Sequence, residues 1–173
     1  VRFGGIQAPG NGVRLEGDTL AFLPLTVANK ATFHVGYYNA PCTDNYVVDC
    51  VFLNGASDTN IIWQNSNTDN SEVSLTRNLV VKSNGNNALP VSGAAVTVTN
   101  AYGRTVLTGT TDGYGRLTGE VAYWYEGEDT PDSTSFNPFT IKIKKGSDST
   151  QTGYTVGSLT ASPVLTLANT AGS

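Results

Sequence analysis

No stretch of this chain carries the spacing of an amphipathic helix, and that constrains its fold more than any other feature. Runs of Ala, Leu, Glu and Lys at three-to-four intervals are missing, and Gly, Asn or Pro breaks the chain about every ten residues. What remains is a series of short β-branched runs between turn clusters, the pattern of sandwiches, barrels and β-solenoids. An all-β fold is expected. The 173 residues suffice for one large domain or two small ones, and a hydrophobic content of 39% is ample for a core.

The surface expected around that core is neutral rather than charged. Charged residues make up 14% of the chain, against about 25% in ordinary globular proteins, and Thr, Asn, Ser and Gly take their place. The net charge is −4. The one basic run, Lys142-Ile143-Lys144-Lys145, alternates along an expected strand and reads as a solvated face. Nucleic-acid binding needs several clustered cations and is not expected. The longest apolar run, Leu20 to Ala28, is broken by Pro24 and falls short of the roughly 18 residues of a membrane helix, so membrane insertion is not expected either. The chain contains no methionine, which fits a start left by signal-peptide removal or a fragment of something longer. An extracellular or cell-surface location is the expectation.

Cys42 and Cys50 are the only cysteines. Their spacing suits a disulfide across a turn or short loop, and export favours that reading over two buried thiols. The bond would stabilise modestly by restricting the unfolded chain.

The C-terminal half is the more legible. Strands are expected at 79–82, 94–99, 104–107, 116–121, 139–143, 154–156 and around 164–167. Between them lie the turn clusters Ser83-Asn84-Gly85-Asn86-Asn87, Asn100-Ala101-Tyr102-Gly103 and Thr111-Asp112-Gly113-Tyr114-Gly115. The segment LPVSGAAVTVTNAYGRTVLTGTTDGYGRLTGEV combines a P-V-x-G-A-x-V-x-V strand, a glycine turn and a T-D-x-x-G turn. Its carriers are Pro90, Val91, Gly93, Ala94, Val96, Val98, Gly103, Thr111, Asp112 and Gly115. Over about residues 79–167 this resembles the prealbumin-like, carboxypeptidase-regulatory-like (transthyretin-like) family. The resemblance implies an antiparallel β-sandwich over 75–173 and says little about function, because that fold hosts many roles.

In the N-terminal region, 1–74, strand candidates are Leu20–Leu25, Ala31–Val35, Tyr46–Phe52 and Asn60–Gln64. VVDCVFLNGASDTNIIWQNSN also resembles rungs of a parallel β-helix. A solenoid needs about three rungs to be stable and two are visible, so extra strands packed with the sandwich are favoured.

Enzymatic readings fail for want of residues. His34 is the only histidine, it lies within a strand candidate, and no G-x-S-x-G motif accompanies it. Glu126, Glu128, Asp129 and Asp132 crowd one loop where nothing would desolvate an acid and raise its pKa. They read as a solvated acidic loop, with calcium as the metal such oxygen ligands suit. No other cofactor is implied. Tyr123, Trp124 and Tyr125 precede that loop, and strand alternation would leave at least one of them exposed as a stacking platform for a glycan; the competing reading places them in the core and at its rim. In a neighbouring adhesin family sandwich domains carry Lys–Asn isopeptide cross-links, for which Lys82 and Asn169 are the candidates here.

Two functions follow. The first is a non-enzymatic structural subunit of an extracellular assembly (filament, surface appendage or coat), self-associating through a strand that carries Val1, Phe3 and Ile6 onto a neighbour's sheet edge. The second is a carbohydrate-binding or adhesive module of a secreted or cell-surface protein.

Overall fold

The computed structural model describes residues 2–3, 12–21, 31–35, 42–57, 60–63, 71–127, 134–156 and 163–173; it describes the backbone but not the side chains of Arg2, Phe3 and Glu126. Among them it contains strands and turns and no helix. The chain divides into two compact units, Val1–Thr76 with Ala122–Ser135, and Arg77–Val121 with Phe136–Ser173. The return of 122–135 to the first unit was not legible from the sequence.

The first unit is a stack of parallel coils. Its strands are β1 (Arg2–Phe3), β2 (Arg14–Glu16), β3 (Thr19–Ala21), β4 (Phe33–Val35), β5 (Asn45–Val48), β6 (Val51–Leu53), β7 (Ile61–Trp63) and the start of β8 (Glu72–Asn84). They pair in parallel as β1-β4-β7, β2-β5-β8 and β3-β6. Arg2 faces His34, Arg14 faces Tyr46 and Thr19 faces Val51, so one coil repeats the previous one at an offset of 32 residues. The next offset is 28, with Phe33 opposite Ile61 and Asn45 opposite Val73. The expected packing of extra strands onto a sandwich is thus replaced by the solenoid arrangement. The third coil is supplied by β1, β2 and β3, which are only two or three residues long and carry little β signal.

Backbone geometry at the corners explains why successive coils superpose. Gly12 and Gly17 bracket β2 with φ of 67° and 68°, and Asp44 and Asp49, 32 residues on, bracket β5 with φ of 56° and 50°. Glycine enters this left-handed region freely, and aspartate is among the few side chains that tolerate it. Inside the stack the Phe33 and Phe52 rings meet edge to face at 6.0 Å, and Val35, Val47, Val48, Val73 and Leu75 are buried.

Cys42 and Cys50 are both buried, and no disulfide joins them. Cys42 precedes β5 and Cys50 follows it, so the segment between them is spent on a strand paired with β2 and β8 rather than on a tight turn that a disulfide would close. The Cys50 thiol lies instead against the Val48 and Leu15 carbonyls, at 3.4 and 3.6 Å.

The second unit holds an antiparallel sheet, β10-β9-β13-β14, formed by β9 (Ala95–Thr99), β10 (Thr105–Thr110), β13 (Phe139–Lys145) and β14 (Asp148–Tyr154). It also holds the later part of β8, the first part of β11 (Arg116–Gly127) and β15 (Val164–Thr166), which pairs with β8 in parallel. The short β12 (Thr134–Ser135) pairs with the end of β11 in the first unit. Burial alternates on both sheets of the second unit. Val96, Val98, Phe139, Ile141 and Ile143 are buried from one, and Leu79, Val81 and Leu165 from the other. Each contributes on the order of 1.5–3 kcal/mol by leaving water. Leu117 of β11 sits over Gly109 of β10, and Leu107 of β10 sits over Gly119 of β11, a reciprocal fit in which each glycine makes room for a leucine.

The motif residues of this half hold its turns. The buried Thr111 hydroxyl donates to the Val91 carbonyl at 2.6 Å and accepts from the Ala94 N–H at 2.9 Å, tying the two turns together. Asp112 Oδ1 accepts from the N–H groups of Tyr114 and Arg116. Gly115 has φ 68°, and a Cβ there would lie 2.6 Å from the Ser83 carbonyl oxygen. β14 is longer than expected and starts earlier, because Asp148-Ser149-Thr150-Gln151 has almost no hydrophobic signal. Its pairing with β13, through a hairpin turning at Gly146, supplies the strand.

Candidate functional site

The feature of the first unit with the clearest capacity to act is the outer edge of its first coil. Among the described residues, β1, β2 and β3 each have a single strand neighbour, β4, β5 and β6 respectively. The bonds on that occupied side are regular. Gly17 N–H donates to the Val48 carbonyl at 2.9 Å, Tyr46 N–H to Val13 at 2.8 Å, and Val51 N–H to Asp18 at 2.9 Å. Backbone groups in a parallel ladder alternate between the two sides of a strand, so those of Glu16, Thr19 and Ala21 turn toward the open side. The edge is solvent-facing, with Arg14, Glu16, Thr19 and Ala21 exposed and Leu15 and Leu20 half-buried. Arg14 Nε and Glu16 Oε2 form an ion pair at 2.9 Å along it.

The edge is held by Asn45. This side chain is 1% exposed, and its Nδ2 donates to the carbonyls of Cys42 and Glu72 at 2.9 and 3.2 Å. Its Oδ1 accepts from the Val13 N–H at 3.2 Å. One amide therefore satisfies backbone groups in three successive coils. Sequence reasoning missed Asn45, although a signal existed: GVRLEG at 12–17 and DNYVVD at 44–49 are equivalent segments framed by residues fit for left-handed corners.

Of the three residues expected on an exchanged strand, Phe3 lies in β1, which pairs within its own chain opposite Val35. Val1 and Ile6 lie outside the described residues. The aromatic run falls on β11. Tyr123 is 6% exposed and offers no ring face to solvent, while Trp124 and Tyr125 are half-buried. The Tyr125 hydroxyl donates to Glu72 Oε2 at 2.9 Å, and Glu72 Oε1 accepts from the Asp44 N–H, so this ring is tied into the coil stack. Among the described residues the exposed tyrosines are instead Tyr102 and Tyr114, on turns of the second unit.

Glu128, Asp129 and Asp132 and the Glu126 side chain lie outside the described residues, and among the described residues no three His, Cys, Asp or Glu side chains gather as a metal would need. His34 is half-buried on β4, opposite Ile62 of β7. Lys82 and Asn169 are not brought together. Lys82 pairs with Val164, and the chain moves on along β8 from there until Leu167 N–H reaches the Asn84 carbonyl. Asn169 lies further still, where its N–H donates to Asp148 Oδ2.

Among the described residues no helix is long and apolar enough to cross a membrane. Compared with known proteins, the chain matches no family model, no curated protein and no solved structure.

Proposed function

We propose that this chain is a non-enzymatic structural subunit of an extracellular assembly (a filament, surface appendage or coat) in which subunits join by β-strand addition. The observation that carries the reading is the open edge of the first coil, where β1, β2 and β3 present backbone donors and acceptors on a side with no described strand. Such an edge is a template for a further strand, and β-proteins that act alone cover or charge it. Here the only charges on β2 are Arg14 and Glu16, which neutralise each other at 2.9 Å. The reading assigns the second unit a prealbumin-like sandwich, supported by the alternating burial of its two sheets and by the leucine–glycine fit between β10 and β11.

The test is the size of the purified chain by light scattering and negative-stain imaging, beside a form lacking residues 1–8 and a Glu16→Pro variant. The N–H of Glu16 faces the open side, so proline there removes no internal ladder bond and is tolerated as on other edge strands. Oligomers or filaments in the parent that disappear in Glu16→Pro, with the circular dichroism unchanged, are the expected result. A parent that stays monomeric at high concentration, or polymers that survive Glu16→Pro, would refute strand addition at this edge.

A further inference from the structure

The outward face of the four-stranded sheet in the second unit is chemically uniform. Cross-strand register places Gln151, Lys142, Thr97 and Thr108 in one row across all four strands. The row on one side begins with Gly153 and Thr140, and the row on the other with Ser149 and Lys144. Neighbouring strands lie about 4.8 Å apart, so each row runs roughly 14 Å. Lys142 and Lys144, two residues apart on β13, both stand exposed. The rows hold hydroxyls, one amide and two ammonium groups, with no carboxylate and no aromatic ring, in a chain whose net charge is −4. Asp148, the acid beside Ser149 on β14, is engaged with the Asn169 N–H and the Thr170 hydroxyl. Two of the threonines are anchored, the Thr108 hydroxyl donating to the Val96 carbonyl at 3.2 Å and that of Thr99 to Thr140 at 3.5 Å.

We infer that this face binds an acidic polysaccharide, a chain of sugars bearing carboxylates at intervals. The ligand class follows from what the face offers. Rows of short hydroxyls and an amide exchange hydrogen bonds with sugar hydroxyls, and the two lysines, roughly 7 Å apart along β13, meet a sparse run of anions. Single-stranded nucleic acid would call for aromatic stacking platforms, which the rows lack, and duplex binding for a larger cluster of cations. A lipid surface would call for apolar side chains to insert. The face is distinct from the coil edge and from the aromatic run on β11.

The experiment uses the whole chain in affinity electrophoresis through gels containing polygalacturonate, alginate or neutral dextran, with duplex DNA as competitor. Retardation by the two uronates and none by dextran is expected, weakening as salt is raised. In Lys142→Gln/Lys144→Gln the affinity should fall roughly three- to tenfold, as the loss of two exposed ion pairs implies. Both lysines are exposed, so the variant should keep the parent's circular dichroism and melting temperature. Thr97→Val/Thr108→Val, which keeps the charge, should also weaken binding. No retardation at low salt, or equal retardation of parent and lysine variant, would overturn the assignment. Duplex DNA competing as well as uronate would overturn it too, as would dextran binding equal to uronate binding.

Discussion

Replacing Asn45 with alanine should destabilise the first unit severely, and the magnitude can be worked from its three hydrogen bonds. The substitution strands the carbonyls of Cys42 and Glu72 and the N–H of Val13, of which the bond to Cys42 is fully buried. A typical intramolecular hydrogen bond contributes about 0.5–1.5 kcal/mol net, and an orphaned buried partner costs about 1–3 kcal/mol. Solvent can reach the Val13 and Glu72 groups in part, so the total expected is about 2–4 kcal/mol. Both tryptophans, Trp63 and Trp124, belong to the first unit. Tryptophan fluorescence during urea unfolding therefore follows that unit without requiring the whole chain to unfold in one step. With a slope of roughly 2 kcal/mol per molar urea, the midpoint should fall by about 1–2 M. Asn45→Asp keeps the acceptor for Val13 but aims a carboxylate at two carbonyls, and should cost more than alanine. Hydrogen exchange at the Val13 amide should accelerate in both variants. A loss below about 0.5 kcal/mol, with Val13 exchange unchanged, would refute the view that this one amide joins three coils.

The remaining predictions concern one unit each. The Thr76 hydroxyl is buried with no hydrogen-bond partner among the described residues, so Thr76→Val, nearly the same shape, should stabilise the first unit by up to about 1 kcal/mol; a lower urea midpoint would reveal a partner the hydroxyl needs. In the second unit, burial raises the Tyr154 phenol above its ordinary 10.0. The unfolded chain then ionises first, so stability is full below pH 10.0 and declines as pH rises from there through the folded pKa. Tyr154→Phe should flatten that decline in urea midpoints measured across the alkaline range, and an identical slope in the variant would show that Tyr154 is not its source.

How much of this could be read beforehand differs between the halves. In the second unit the alternating burial of Val96 and Val98, the cap made by Asp112 and the left-handed Gly115 depend on residues within a few positions of one another, and they fall in the strand 94–99 and the turn cluster 111–115 that the sequence marks. In the first unit the deciding contacts join residues 28 or 32 apart. A strand such as Arg14–Glu16 has no local signature until its partner Tyr46 is known. The cysteine spacing misled for the same reason, since the residues between the two cysteines form β5, whose partners β2 and β8 are distant in sequence.

The sequence by itself determined the strand-and-turn character of the chain, its neutral polar surface and the turn chemistry of the second unit, because these follow from backbone preferences acting over a few residues. The tertiary structure alone decided that β1 to β7 and the start of β8 pair in parallel, that β11 buries Tyr123 and ties Tyr125 to Glu72, and that threonines from two strands align with lysines from a third on one face. Those outcomes depend on which distant strands pair and in which register. That choice is set by the summed burial and hydrogen bonding of the whole fold rather than by any single segment.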